Sequence, residues 1–439
     1  MNGMYHLNGL LTVEGTTLRY APDDGSAAVE LKGALSDNEK RLVGMGTKVL
    51  IWPDKMSFDT VSGTLSALGS SWQQGGVSLT VTPCDAAGVV YTPNLFGATE
   101  PESPENGDVW LKQAEDAPWS YRDALKLYST AGGWQNILLN YCRVTCKGLG
   151  EAFKAGDTVT LTGIPSVVKN AYSSDFSGDV VVDDVAGDSV ILSIAPDIES
   201  VLYYGTCVVT GQSVVWTAMD GKTTQTFDGP FPDVTAQRRV PALDWLTEHN
   251  NRVWGCSSTE NVIYACKLGD ATNWFSYRGT AADSYAVTVG SDGPFTGAAT
   301  CMGYVLFFKE STLHKLYGSR PADYQLVSAQ CRGVAKEASG SLCVLAEVLY
   351  YLSQDGVMAW DGSLPVKISG GLDNSWLMDV RGAVGGVLDT RYYLHLKVPE
   401  RGETRLLVYD TERTLWHEED TAGEADANGW AMCSTCLLY

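Results

Sequence analysis

The sequence has few charged residues, few histidines and no long apolar run, and each shortage excludes a class of protein. Charged residues make up 19% of the 439 residues and hydrophobic residues 44%. This balance is the reverse of a disordered chain and allows a sizeable core. Lys and Arg number 31 against 52 Asp and Glu, a net charge of −21, and the longest basic cluster is Arg238-Arg239. Tight nucleic-acid binding is therefore not expected, because it needs clustered basic side chains.

Targeting, membrane and metal-binding signals are equally sparse. No stretch reaches the roughly 18 apolar residues of a membrane-spanning helix, so no membrane insertion is expected. The segment MNGMYHLNGLLTVEG at the start lacks the basic and apolar regions of a signal peptide, which favours synthesis in a reducing cytoplasm. The eleven cysteines then read as buried free thiols. Cys433 and Cys436 have a metal-like spacing without a second pair, so two strand cysteines are preferred and no metal or cofactor is predicted.

The common catalytic motifs are missing as well. The chain has no dinucleotide-binding glycine motif, HExxH, GxSxG or EF-hand loop. Gly221-Lys222-Thr223 resembles the end of a phosphate-binding loop, but Trp216 occupies the position of the required upstream glycine, so a hairpin turn is predicted. The five histidines are far apart in the sequence: His6, His249, His314, His395 and His417.

Among enzyme classes, the propeller glycosidases have motifs that the sequence resembles most. Asp355-Gly356 superficially resembles the Asp-box turn of sialidases, yet a hairpin turn explains both residues. Acidic neighbours such as Asp183-Asp184 would point to opposite faces of a strand and could not flank one glycosidic bond. We therefore predict that the protein is not an enzyme.

What the sequence does contain indicates an all-β fold. Glycine numbers 46, and Tyr (21) and Trp (13) both exceed Phe (10), a composition typical of twisted sheets with exposed turns. A strand–turn–strand pattern carrying an aromatic residue starts at Val253, Val305, Leu349 and Tyr392, at intervals of about 52, 44 and 43 residues. Four-stranded propeller blades repeat every ~40–50 residues. The pattern predicts a β-propeller of about six four-stranded blades.

The same pattern starts at Leu10 and Val49, but about 204 residues separate Val49 from Val253. We therefore expect a small β-barrel or sandwich inserted in a loop between blades, because long loop insertions cost little closure entropy. The predicted organisation is a first propeller part over 1–83, an insert over 84–230 and a second propeller part over 231–439. The final segment GWAMCSTCLLY is expected to share a blade with strands of the first residues and so close the ring.

Aromatic residues gather in the predicted insert and suggest a candidate contact site. Trp110, Trp119, Tyr121 and Trp134 lie within a short stretch that also holds Tyr128. Stacking on sugar rings or on a protein partner uses such side chains, whereas the alternative is that they fill the core of a small β-rich domain.

Several phrases in the propeller portion resemble the tail-associated propeller proteins of bacteriophages, which are similar to packaged-DNA stabilisation or tail hub proteins. The phrases are Asn251 to Trp254, Asp270 to Trp274, Leu306 to Glu310, residues 350–369 and 406–420, and the segment 35–55. The resemblance covers the propeller portion, about two thirds of the chain.

The resemblance implies a virion structural protein, made in the bacterial host's cytoplasm and located in the tail as a hub or adaptor at the head–tail junction or tail tip. Its partners would be other tail or connector proteins, in a homo-oligomeric ring of six copies. The alternative is a carbohydrate-recognising receptor-binding module of the tail, in which the insert reads a host surface glycan.

Overall fold

The computed structural model describes residues 1–112, 125–168, 171–193, 205–372, 381–398 and 403–419. The chain forms two units, one from Met1–Leu68 with Val240–Tyr439 and the other from Gly69–Arg239. The chain thus leaves the first unit once and returns to it. The predicted insert, 84–230, lies inside the second unit, which also includes the strands on either side of that range.

The amino-terminal part of the first unit forms two four-stranded antiparallel sheets. Their strands are β1 (Gly3–His6), β2 (Gly9–Glu14), β3 (Thr17–Pro22) and β4 (Val29–Leu31), then β5 (Arg41–Met45), β6 (Lys48–Trp52), β7 (Met56–Asp59) and β8 (Thr64–Ala67). Burial alternates along β2, where Leu11 and Val13 are fully buried between partly exposed neighbours. This two-residue period is that of a strand with one face in the core.

The second unit contains a ten-stranded sheet and a small four-stranded sheet. Its strands are β9 (Ser70–Gln73), β10 (Leu79–Cys84), β11 (Leu95–Gly97), β12 (Val109–Lys112), β13 (Leu125–Ser129), β14 (Gly133–Asn136), β15 (Tyr141–Thr145), β16 (Thr158–Val168), β17 (Ala171–Ala186), β18 (Ser189–Ser193), β19 (Gly205–Val209), β20 (Ser213–Ala218), β21 (Thr224–Asp228) and β22 (Thr235–Arg238), with one short helix, α1 (Leu149–Ala152). The large sheet has the order β21-β20-β19-β10-β15-β18-β17-β16-β22-β9, and β11 to β14 form the small sheet.

The large sheet curls around one apolar core. The buried amide of Gln74 donates to the Val209 carbonyl (2.9 Å) and accepts the Val234 N–H (3.1 Å), which brings β19 close to the segment before β22. Strands β9 and β22, by which the chain enters and leaves the unit, pair with each other. That pairing is why the unit extends beyond the predicted bounds 84 and 230.

The rest of the first unit forms four more four-stranded sheets. Their strands are β23 (Trp245–His249), β24 (Arg252–Ser257), β25 (Val262–Ala265), β26 (Tyr285–Thr288), β27 (Gly297–Cys301), β28 (Tyr304–Lys309), β29 (Thr312–Tyr317), β30 (Gln325–Gln330), β31 (Cys343–Leu345), β32 (Val348–Ser353), β33 (Gly356–Trp360), β34 (Val366–Lys367), β35 (Arg381–Leu388), β36 (Arg391–Val398), β37 (Glu403–Asp410) and β38 (Leu415–Glu419), with a 3₁₀ turn at Ser339–Ser341.

The first unit therefore contains six four-stranded sheets, each built from consecutive antiparallel strands, within the ranges given above. The prediction of an all-β propeller of about six blades is confirmed. Apolar clusters join neighbouring sheets; in one, Trp52 of the second sheet meets Trp274, with ring centroids 5.8 Å apart. The first sheet takes all four strands from residues 3–31. Closure by the final segment stays a prediction, because 420–439 lie outside the described residues.

Between the first and second sheets, and between the third and fourth, the first strands run side by side in parallel orientation. The Lys40 N–H donates to the Asn2 carbonyl (2.8 Å), and four residues on the Gly44 N–H donates to Tyr5 Oη (2.8 Å). At a later boundary Trp245 Nε1 donates to the Phe295 carbonyl (2.9 Å), and Thr247 and Thr300 share a hydrogen bond (2.9 Å). Residue numbers rise together on both sides of each boundary, as parallel neighbours require.

Two turns that resemble catalytic motifs are hairpin turns, as predicted. Gly221-Lys222-Thr223 joins β20 to β21, and the Asp220 carboxylate accepts the N–H groups of Lys222 (2.9 Å) and Thr223 (3.1 Å). Asp355 lies in the tight turn between β32 and β33 and pairs with Arg332 (2.6 Å). Local turn geometry accounts for both sequences.

Candidate functional site

A cavity of about 830 Å³ lies where the first strands of the six sheets meet, and we call it the axial cavity. Each of β1, β5, β23, β27, β31 and β35 contributes to its wall. These strands are the inner edges of their sheets, so one side of each backbone has no neighbouring strand in its own sheet. The wall therefore combines side chains with backbone N–H and C=O groups.

The parallel first strands give the axial cavity two different ends. Arg41 and Trp245 are the first residues of β5 and β23 and lie at the amino end. Glu248 lies three residues further along β23, and Asp389 follows the last residue of β35, so both belong to the carboxyl end. The amino end thus carries the Arg41 guanidinium, the Trp245 ring and the exposed Glu39 carboxylate, whereas the carboxyl end carries two carboxylates.

At the amino end, Arg41 is stacked on Trp245. The guanidinium carbon lies 4.1 Å from the centre of the Trp245 ring, and the indole N–H is held by the Phe295 carbonyl. Arg41 also forms an ion pair with Glu39, whose side chain is 73% exposed. The guanidinium is thus held by the Trp245 ring on one face and by the Glu39 carboxylate, two contacts that are each worth about 1 kcal/mol or less at an exposed site.

Lys40 also lines the axial cavity, but its ammonium is fully committed elsewhere. The side chain is completely buried, and Nζ donates to Asp54 Oδ2 (2.6 Å), Asn38 Oδ1 (2.6 Å) and the Ser36 carbonyl (2.5 Å). Burial raises the pKa of Asp54, but hydrogen bonds from Lys40 and Ser36 together with the Lys40 charge outweigh it, so the pKa is lowered. Lys40 is a structural residue of the second sheet and is not available to a ligand.

The carboxyl end has a partly organised polar wall. Glu248 Oε1 accepts the Asn251 N–H (2.8 Å), which holds the carboxylate at the turn after β23. Thr300 donates its hydroxyl to the Glu248 carbonyl (2.8 Å), so β23 and β27 are fastened together at this level. Asp389 is exposed in the turn between β35 and β36. Glu248 is therefore positioned by its neighbours, and Asp389 is reached by solvent.

The described residues can also be searched for metal-ligand groups and for membrane-spanning helices. Across residues 1–112, 125–168, 171–193, 205–372, 381–398 and 403–419, no three His, Cys, Asp or Glu side chains are grouped so that they could hold a metal ion. Nor does that part of the chain contain a helix with the length and hydropathy needed to cross a membrane. The nine described cysteines are free thiols, and all but Cys331 are buried. Cys433 and Cys436 lie outside the described residues.

The aromatic site predicted in the insert is partly described. Trp110 is 3% exposed and packs against Trp134 (centroids 5.5 Å apart), which in turn packs against Tyr128 (5.2 Å). Trp110 Nε1 donates to the Gly97 carbonyl (3.0 Å). A buried ring cannot stack on a sugar, so Trp110 serves the packing of the small sheet. Trp119 and Tyr121 lie outside the described residues, and their role as contacts stays a prediction.

No sequence signal pointed to the axial cavity. Its lining residues come from six segments between Met4 and Asp389, with a few residues from each. They meet only because each sheet places its first strand at the axis. The useful signal would have been the first strand of each repeat, which carries little that distinguishes it from the other strands.

No protein-family model matches the chain, and no curated protein matches it significantly. Among solved structures it is similar to apo AztD from Citrobacter koseri (12% identity, TM-score 0.35, covering 93% of this chain and 82% of that one). It is also similar to a protein described as the extracellular domain of a one component system from B. thetaiotaomicron (10%, 0.27, 94% and 52%) and to one described as an exported protein from Bacteroides fragilis (7%, 0.24, 49% and 68%). At these identities and TM-scores, no function is transferred.

These comparisons correct the expectation of a bacteriophage tail protein. The similar structures include AztD and extracellular or exported bacterial proteins. The assignment to tail hub proteins, the functions as tail adaptor or glycan-reading tail module, and the location in a virion are therefore wrong. The ring of six copies was implied by the same resemblance and stays an untested prediction.

The phrases that carried the resemblance are requirements of a four-stranded blade. Asn250 and Asn251 have positive φ angles of 52° and 56°, and they form the tight turn between β23 and β24. Asparagine tolerates this left-handed backbone better than most residues. Arg252 and Trp254 are buried inside the third sheet. Such residues indicate a four-stranded blade, and they do not indicate that the protein belongs to a virus particle.

Proposed function

We propose that the protein is a non-enzymatic binding protein whose ligand occupies the axial cavity. The observation that carries this proposal is the cavity of about 830 Å³ walled by all six first strands. Small-molecule sites typically have volumes of about 300–1,000 Å³ with a few well-placed polar groups. Arg41, Trp245 and Glu248 provide such groups, and each is held by hydrogen bonds or ring contacts.

Binding fits these side chains better than catalysis does. A general acid or base needs a group that exchanges protons near neutral pH, and histidine is the usual one. None of the five histidines lines the axial cavity. The charged residues that do line it include Lys40, whose ammonium already donates to Asn38 and Asp54, and Arg41, whose guanidinium is stacked on Trp245. These side chains support a ligand that is bound and released without being chemically converted.

The proposal is tested by blocking the axial cavity. Val344 lines it and is 41% exposed, so in Val344→Trp the larger side chain enters free space. We expect at least one of five probes (trialanine, inorganic phosphate, AMP, glucose and spermidine) to raise the Tm of the wild-type protein. A ligand at about 100 times its Kd adds about 2.7 kcal/mol to the free energy of unfolding. The rise should disappear in Val344→Trp.

The matched control is Val327→Trp, because Val327 is 44% exposed and lies on β30, the outermost strand of the fourth sheet. This variant should respond to the probe as the wild type does. If no probe raises the Tm, or if the rise survives in Val344→Trp, the axial cavity is not the binding site and the proposal is overturned.

A further inference from the structure

The amino end of the axial cavity is suited to a carboxylate. Arg41 presents a planar guanidinium that can donate two parallel hydrogen bonds to one carboxylate. The Trp245 ring lies 4.1 Å from its guanidinium carbon and supports one face of it. Because the Glu39 side chain is 73% exposed, its ion pair with Arg41 is weak and open to exchange. A carboxylate of the ligand can therefore take the place of the Glu39 carboxylate.

The carboxyl end is suited to an ammonium group. Glu248 uses Oε1 to accept the Asn251 N–H, and the carboxylate has further acceptor sites on its two oxygens. Asp389 adds a second negative charge on the wall of the same cavity. An ammonium has three donors and would donate to the Glu248 carboxylate, with the other donors free for backbone carbonyls of the inner edges.

The separation of the two ends sets the length of the ligand. Arg41 is level with Trp245 through their ring contact, and Glu248 lies three residues beyond Trp245 on the same strand. At ~3.3 Å per residue, three steps along a strand cover about 10 Å. An extended chain of three residues has about this length. The inner edges between the ends offer backbone N–H and C=O groups that can pair with an extended peptide.

We infer that the ligand of the axial cavity is a short peptide of about three residues with both termini free. Its carboxylate binds Arg41, and its ammonium binds Glu248, while Asp389 adds negative charge to the same cavity wall. The inference rests on the proposed function and adds the chemical class of the ligand and its direction along the axis.

Isothermal titration of the full chain with trialanine tests this inference. We expect trialanine to bind, and we expect amidation of its carboxylate or acetylation of its ammonium to weaken binding about tenfold each. Arg41→Gln should weaken binding of trialanine and should no longer distinguish it from the amidated form. Glu248→Gln should likewise lose the distinction between trialanine and the acetylated form. This pattern assigns each terminus to one residue, which general loss of structure would not do.

Glu39→Gln should change the affinity for trialanine in the opposite direction. Removal of the competing carboxylate should strengthen trialanine binding by about threefold. Arg19→Gln, on the exposed face of β3, is the control and should leave Kd unchanged. If trialanine fails while another probe binds in a Val344-dependent manner, the peptide inference is overturned and the proposed function stands. If no probe binds, both are overturned, and if capping the termini has no effect, the assignment of Arg41 and Glu248 is wrong.

Discussion

Replacement of Arg252 by methionine should lower the free energy of unfolding of the first unit by about 4 kcal/mol. Arg252 is 2% exposed, and its guanidinium donates to the carbonyls of Cys266 (2.8 Å), Asp283 (2.5 Å) and Ala281 (2.7 Å). These carbonyls belong to the long connection between β25 and β26. Methionine fills much of the same space but leaves three acceptors without that donor, and two of them, the Cys266 and Asp283 carbonyls, are in buried hydrogen bonds.

The connection that Arg252 holds also carries Trp274. That side chain is fully buried, and its ring meets Trp52 of the second sheet. Loss of the Arg252 contacts should therefore loosen the packing between the second and third sheets, including the wall formed by β5 and β23. We expect faster proteolysis within 266–284 together with the lower stability.

Urea unfolding followed by tryptophan fluorescence measures the effect, with the two units analysed as separate transitions. Arg320→Met is the matched control, since the Arg320 side chain is 61% exposed and pairs only three residues away with Asp323. Its expected change is less than about 0.5 kcal/mol. A loss below about 1 kcal/mol in Arg252→Met would contradict the role given to the three carbonyls, because water would then replace the guanidinium at little cost.

The six sheets could be predicted from the sequence because each blade repeats the same local requirements. Paired strands need a two-residue burial period, and their turns need residues that accept a positive φ, such as Asn250, Asn251 and Asn261. These requirements recur at a nearly constant spacing and remain visible without any knowledge of the partner strands. The extent of the second unit was harder to predict, because the pairing of β9 with β22 joins segments about 160 residues apart.

The axial cavity could not be predicted, since its properties depend on contacts between sheets. The stacking of Arg41 on Trp245 joins residues about 200 positions apart, and neither residue lies in a recognisable motif. The aromatic cluster in the insert gave a stronger local signal, but Trp110 is buried in the small sheet. Local density of aromatic residues thus identified a packing cluster, while the candidate ligand site is assembled from single residues of separate repeats.

Acidification should destabilise the first unit through His314 by about 3 kcal/mol between pH 6.5 and pH 4. The ring lies on β29, is 1% exposed, and contacts the hydroxyls of Ser291 (2.8 Å) and Ser328 (2.7 Å). Burial, and next the positive charge of Lys309, lower the pKa of His314 from 6.5 to about 4. The folded state therefore binds fewer protons than the unfolded state in this range. The contribution of neutral His314 to the free energy of unfolding is fully present above pH 6.5 and is lost as the pH falls towards 4.

A comparison of His314→Phe with the wild type isolates this contribution. The variant should be less stable than the wild type at pH 7.5, because the two serine hydroxyls lose their partner. The difference should shrink by about 3 kcal/mol at pH 4, because the variant has no imidazole to protonate. His249 and His395, whose pKa values are also lowered by burial, add the same slope to both proteins. The exposed His417, changed to Phe, is the control and should keep the wild-type profile. Parallel stability curves for wild type and His314→Phe would show that His314 is not the group that titrates, and the acid sensitivity would then have to come from the carboxylates.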